Sequence, residues 1–132
     1  MYNSVSIVNC GILHMKEQLD EAVSGGAHMF HIDIMDGHYV PNLCMPIWIV
    51  SELKKEYPSV LTDVHLMVDN PGDYILRLAE AGADYVSFHT DSTKFVKRAL
   101  KNIRDAHMKA GIIINPSQRV DHITPFIEQV DM

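Results

Sequence analysis

The sequence predicts an α/β fold built on a parallel sheet, and three observations carry that expectation. Short β-branched runs alternate with amphipathic stretches along the whole chain. Strand starts recur at intervals of roughly 22 to 32 residues, the length of one strand-plus-helix unit. No long linker or low-complexity segment interrupts the series.

The elements follow in order. "SVSIV" (4–8) has strand length and composition, and "HMKEQLDEAVSGG" (14–26) has helical spacing, closed by Gly25 and Gly26. "MFHIDIM" (29–35) is the second strand and "PIWIVSELKKEY" (46–57) the second helix. "VLTDVHLMV" (60–68) is the third strand; Asn70 and Pro71 then suit the N-cap and first position of a helix that Gly82 ends. "YVSFHT" (85–90) precedes a helix over 92–107, and "GIIIN" (111–115) precedes a fifth helical stretch over 119–129, which Pro125 interrupts. "GGAHMFHID" and "AGADYVSFHTD" look like weak copies of one helix-to-strand junction. Five such units imply a parallel sheet covered by helices, either an open doubly wound sheet or a TIM barrel. "VNCGIL" holds a single glycine after the first strand, so a dinucleotide-binding sheet is disfavoured.

The 132 residues make one domain, 1–132, with 47% hydrophobic and 21% charged residues, as in an ordinary globular protein. A net charge of −6 without any basic block gives no footprint for nucleic acid or an acidic membrane, so an anionic ligand needs a local device. Cys10 and Cys44 form no CxxC pair and are expected as free thiols of a cytoplasmic protein. No basic residue precedes the first apolar stretch, and no apolar run approaches the roughly 18 residues of a spanning helix.

Residues two apart on a strand share a face. His31, Asp33 and Met35 therefore project together, and the next strand repeats the device with Asp63, His65 and Met67. Imidazole and carboxylate groups converging from neighbouring strands suit zinc, iron, manganese or cobalt. The plainer alternative is a set of hydrogen-bonded core histidines and a salt-bridged His-x-Asp pair. Against it stands the cost of burying Asp33 without a cation. His28, His38, His107 and His122 read as surface or turn residues and His14 as the start of the first helix. His89, ending the fourth predicted strand, reads as a structural or substrate-contacting group and not a ligand. Met35 and Met67 either fill gaps or form an uncharged, polarizable wall beside a metal.

"HIDIMDGHYVPN" (31–42), "DVHLMV" (63–68) and "INPS" (114–117) resemble the ribulose-phosphate 3-epimerase family, including its relatives that act on allulose 6-phosphate. The resemblance runs the length of the chain. It implies a TIM (β/α)8 barrel binding one divalent cation, Zn2+ or Fe2+ foremost and Mn2+ or Co2+ as alternatives, through His31, Asp33, His65 and a second aspartate. The implied substrate is a sugar phosphate inverted at carbon 3: D-ribulose 5-phosphate to D-xylulose 5-phosphate, or D-allulose 6-phosphate to D-fructose 6-phosphate. Asp33 would act as one of two bases in proton transfer through an enediolate, with Ser6, His65, Met35 and Met67 against the substrate.

The chain also departs from the family. The family usually has Pro before the serine that Ser6 matches, and an acidic or amide residue where Gly11 stands. Its "VDGG"-like motif with the second aspartate, its "NPGFGGQ" loop and its Gly-Ser phosphate cradle are absent, and "QVDM" looks like the opening of a sixth strand. The expectation is thus a truncated barrel of about five βα units, inactive alone and self-associating through unpaired first and fifth strands. A non-catalytic half-barrel that binds metal or oligomerises is the alternative. Decarboxylase relatives that use Asp-x-Lys-x-x-Asp fit less well, because "HIDIMDG" has no lysine.

Overall fold

The computed structural model describes residues 2–132. In chain order its strands are β1 (Ser4–Ser6), β2 (Met29–Asp36), β3 (Leu43–Cys44), β4 (Leu61–Met67), β5 (Tyr85–His89) and β6 (Lys109–Ile113). All but β3 form one parallel array, connected by helices α1 (Met15–Ser24), α2 (Trp48–Glu56), α3 (Ile75–Ala81) and α4 (Val96–Asp105). The spatial order β1-β2-β4-β5-β6 follows the chain. A doubly wound sheet reverses its strand order at a switch point; this sheet has no reversal, and its order is that of a partial barrel.

Alternation on each strand divides the sheet into two unlike faces. Phe30, Ile32 and Ile34 of β2, Val64 and Leu66 of β4, and Val86 and Phe88 of β5 are buried against the helices. They meet Val50 and Leu53 of α2, Ile75 and Leu78 of α3, and Ala99, Leu100 and Ile103 of α4 in one core. Removing such a side chain from water contributes about 1.5–3 kcal/mol, so this face holds the sheet. Thr62, fully buried among these residues, is satisfied because its backbone N–H and hydroxyl both donate to Asp84, at 2.8 and 3.1 Å. The opposite face carries Ser4, Ser6, His31, Asp33, Asp63, His65 and His89.

Several local details differ from the pattern read in the sequence. The first strand is shorter than 4–8, although Ile7 N–H still donates to His31 O at 3.1 Å. The two-residue β3 runs antiparallel against the end of β2. Pro71 opens a short 3-10 turn, Pro71–Asp73, and α3 follows it. Gly82 ends α3 at φ 86, a left-handed position that costs a residue with a Cβ dearly. The fifth helical stretch is 3-10 over Val120–Gln129, with Pro125 inside, where the proline leaves one backbone bond unmade. The outer edge of β6 is not bare: Asp131 N–H donates to Ala110 O at 2.7 Å and Ile112 N–H to Met132 O at 3.3 Å. That corrects the expected open edge at the fifth predicted strand, while β1 has one strand partner, β2, among the described residues.

Candidate metal centre

The register of β2 and β4 sets His31 opposite Asp63 and Asp33 opposite His65. Two histidine–aspartate pairs therefore cross between the strands in opposite senses. His31 Nδ1 lies 2.7 Å from Asp63 Oδ2, and His65 Nδ1 lies 3.0 Å from Asp33 Oδ1. His31 turns its other nitrogen, Nε2, to within 3.3 Å of the same Asp33 oxygen. Asp33 and Asp63 are 9% and 4% exposed, so each carboxylate needs these partners.

One ligand atom from each of His31, Asp33 and His65 lies within 4.8 Å of the other two. A tetrahedral zinc with bonds of about 2.0–2.2 Å holds its ligand atoms roughly 3 to 3.5 Å apart. The 3.0 and 3.3 Å separations about Asp33 Oδ1 meet that requirement. Two imidazoles and a carboxylate are also a borderline donor set suited to divalent transition metals. The group could hold a metal ion, and its donor types and the two separations about Asp33 fit one.

The surroundings tune these groups unequally. The hydrogen bond to Asp63 pushes the His31 imidazole above its ordinary pKa, against a smaller opposing effect of burial. Burial pushes His65 down, and neighbouring His89 adds to that shift. Because a carboxylate only accepts, Asp63 fixes the His31 proton at Nδ1 and leaves Nε2 to face Asp33. Ser4 Oγ donates to the same Asp63 oxygen at 3.2 Å, and Asp63 Oδ1 is buried without a partner among the described residues.

Other predicted residues fall around this cluster. Ser6 Oγ is 3.5 Å from Asp33 Oδ2, at the long limit of a hydrogen bond. Met35 and Met67 are register partners, one pleat beyond the Asp33–His65 pair toward the carboxyl ends. His28, His38, His107 and His122 are exposed or at the chain's turns, and His14 directly precedes α1. Cys10 and Cys44 are free. The loop "DGHYVPN" is anchored by Asp36, whose carboxylate accepts from the backbone N–H of His38, Tyr39 and Asp69 at 2.8, 2.9 and 2.7 Å. The partnership of Asp63 with His31 was not read from the sequence; its signal lay in the repeated His/Asp alternation, once the strands are set in register.

The fold is shared with solved TIM-barrel proteins. KGPDC from Streptococcus mutans matches with a TM-score of 0.72 at 18% identity, over 97% of this chain and 60% of that one. The tryptophan synthase alpha chain from Legionella pneumophila subsp. pneumophila matches with a TM-score of 0.68 at 10% identity, over 98% and 57%. Curated relatives are closer in sequence. Ribulose-phosphate 3-epimerase of Buchnera aphidicola subsp. Schizaphis graminum is 36% identical over 127 residues, covering 96% of this chain and 56% of the relative. Its counterpart in Bacillus subtilis is 34% identical over 127 residues, covering 96% and 58%. The cytoplasmic isoform of Oryza sativa subsp. japonica is 35% identical over 124 residues, covering 93% and 54%. The chain thus spans about half the length of the curated relatives it matches. No helix among the described residues is long and apolar enough to cross a membrane. With the model described as "Ribulose-phosphate 3 epimerase family" matching residues 3–132, the chain belongs to the ribulose-phosphate 3-epimerase family.

Proposed function

We propose that the chain carries the metal-binding half of a cytoplasmic ketose-phosphate 3-epimerase site, with His31, Asp33 and His65 as protein ligands and Asp33 as one of the two bases. The convergence of these three side chains on one small volume is the observation that supports this most. The sugar-phosphate class rests on the family to which the chain belongs.

Chemistry on a carbon acid next to a carbonyl sets the requirements. A proton at carbon 3 becomes removable only where charge developing on the carbonyl oxygen is stabilised, and a bound divalent cation supplies that as a Lewis acid. Asp33 takes the proton. Ser6 stands beside the second oxygen of Asp33 and orients the carboxylate or contacts the substrate, and His65 does the latter from β4. Met35 and Met67 offer an uncharged wall at the carboxyl ends of their strands, where the ligands of parallel α/β folds bind.

Inversion needs a second acid/base on the other side of the planar intermediate, and the second carboxylate of this cluster, Asp63, lies on the same sheet face as Asp33 and is engaged with His31. The 132-residue chain by itself is therefore expected to leave D-ribulose 5-phosphate unconverted. Conversion by the purified chain, abolished in Asp33→Asn, would overturn that expectation. The outer edge of β1 favours self-association, which light scattering detects and a monodisperse monomer contradicts. The ligand set is tested by elemental analysis of chain purified without chelator: wild type carries a divalent transition metal and His65→Ala loses it.

A further inference from the structure

His89, the last residue of β5, is 7% exposed and has no part in the ligand set. Its ring packs on His65 with centroids 5.0 Å apart, and Nε2 of one ring lies 2.9 Å from Nε2 of the other. A separation this short between two imidazole nitrogens requires one ring to donate and the other to accept. His89 also packs against the Tyr39 ring, at 5.0 Å between centroids. Its backbone is pinned as well, since Ser92 Oγ donates to His89 O at 2.7 Å. The remaining ring nitrogen, Nδ1, is buried with no partner among the described residues.

These contacts bear on how His65 meets a cation. The nitrogen of His65 that faces Asp33 is Nδ1. A ligating nitrogen must offer its lone pair, so the proton of a neutral ring then sits at Nε2 and needs an acceptor in a buried place. Nε2 of His89 is the atom in position to accept it. We propose that His89 is a positioning residue of the metal site: when a divalent cation takes the lone pair of His65 Nδ1, His89 Nε2 accepts the proton that His65 then carries at Nε2. This rests on the assignment of His65 as a ligand.

The pair has two arrangements. Without a cation, Asp33 accepts a hydrogen bond from His65 Nδ1–H, and His65 Nε2 accepts from His89 Nε2–H. With a cation, His65 carries its proton at Nε2 and donates it to His89 Nε2, and the His89 proton sits at Nδ1. Two ring protons are present in both states, so the exchange leaves the charge of the pair unchanged. His31 has no such freedom, because Asp63 only accepts. His89 Nδ1 has no donor or acceptor among the described residues, so no partner there commits the ring to one state.

The test combines cation titration with nitrogen NMR, using Zn2+ as the probe. Titration against a chromophoric chelator should show His89→Phe binding Zn2+ about 10–100-fold more weakly than wild type, the usual cost of losing a partner behind a ligating histidine. His89→Gln, whose carbonyl can accept from His65, should recover most of the loss. In wild-type protein, long-range 15N–1H correlations should show the His65 proton moving from Nδ1 to Nε2 on Zn2+ addition, a readout that needs no variant to fold. Unchanged affinity in His89→Phe, or a His65 tautomer that stays fixed, would overturn the proposal. If wild type takes up Zn2+ and His65→Ala abolishes it while His89→Phe does not weaken it, only the role of His89 fails. Absence of Zn2+ uptake by wild type overturns the ligand assignment and this proposal together.

Discussion

Asp63 stands directly across the β2–β4 ladder from His31, and its carboxylate receives Nδ1–H of that ring over 2.7 Å. The contact converts a residue able to bind through either nitrogen into one that presents Nε2 alone. Asp63→Asn keeps the shape and removes the charge that holds the ring. Zn2+ affinity is expected to fall by about tenfold or more, as for other partners behind metal-binding histidines. Isothermal titration measures this, and an unchanged affinity would show that ring orientation is set elsewhere.

The loop after β2 should be acid-sensitive through Asp36. Burial pushes this carboxyl up, but backbone N–H donors from His38, Asp69 and Tyr39 together outweigh it and leave the pKa below the ordinary value of 3.8. A carboxyl with a depressed folded-state pKa contributes stability above its unfolded pKa and loses it as pH falls through the folded one. Asp36→Asn should therefore destabilise the chain by ~1–2 kcal/mol at neutral pH, the cost of lost hydrogen bonds to a charged group reduced by solvent screening. The gap between wild type and variant should narrow as pH falls below 3.8 and through the depressed folded-state pKa. Urea midpoints at pH 7 and pH 3 measure both values.

Gly111 marks a close approach on the site face of the sheet. A Cβ there would lie 2.9 Å from Ser87 Cβ and 2.9 Å from Met132 Cγ. Ser87 is the register partner of Gly111 on β5 and cannot retreat without moving its strand. Gly111→Ala should destabilise by ~1–3 kcal/mol, the usual cost of overpacking. A denaturation midpoint equal to that of wild type would mean that both β5 at Ser87 and the segment around Met132 yield freely, against this account.

Legibility in the sequence differed between face and level. A period of two assigns His31, Asp33 and Met35 to one side of β2 and Ile32 and Ile34 to the other, and burial follows that division except at Asp33, which is buried within the site. The same period gives no information on which residue of the next strand stands opposite. Hence Asp63 was visible as a neighbour of the site but not as the partner of His31, and the contact of His89 with His65 was hidden for the same reason. β3 has two residues, too few to show any pattern, and is defined by its pairing with Met35 and Asp36. At 119–129 the helical spacing was real, but the same spacing does not tell a 3-10 from an α-helix, and the stretch is 3-10.

The central claim is that His31, Asp33 and His65 bind one divalent cation together, and X-ray absorption on chain loaded with one equivalent of Zn2+ tests it most directly. The account predicts nitrogen and oxygen neighbours at about 2.0–2.2 Å, with the outer-shell scattering of two imidazoles, reduced to one in His31→Ala. A sulfur neighbour at about 2.3 Å, or a spectrum without imidazole scattering, would contradict it.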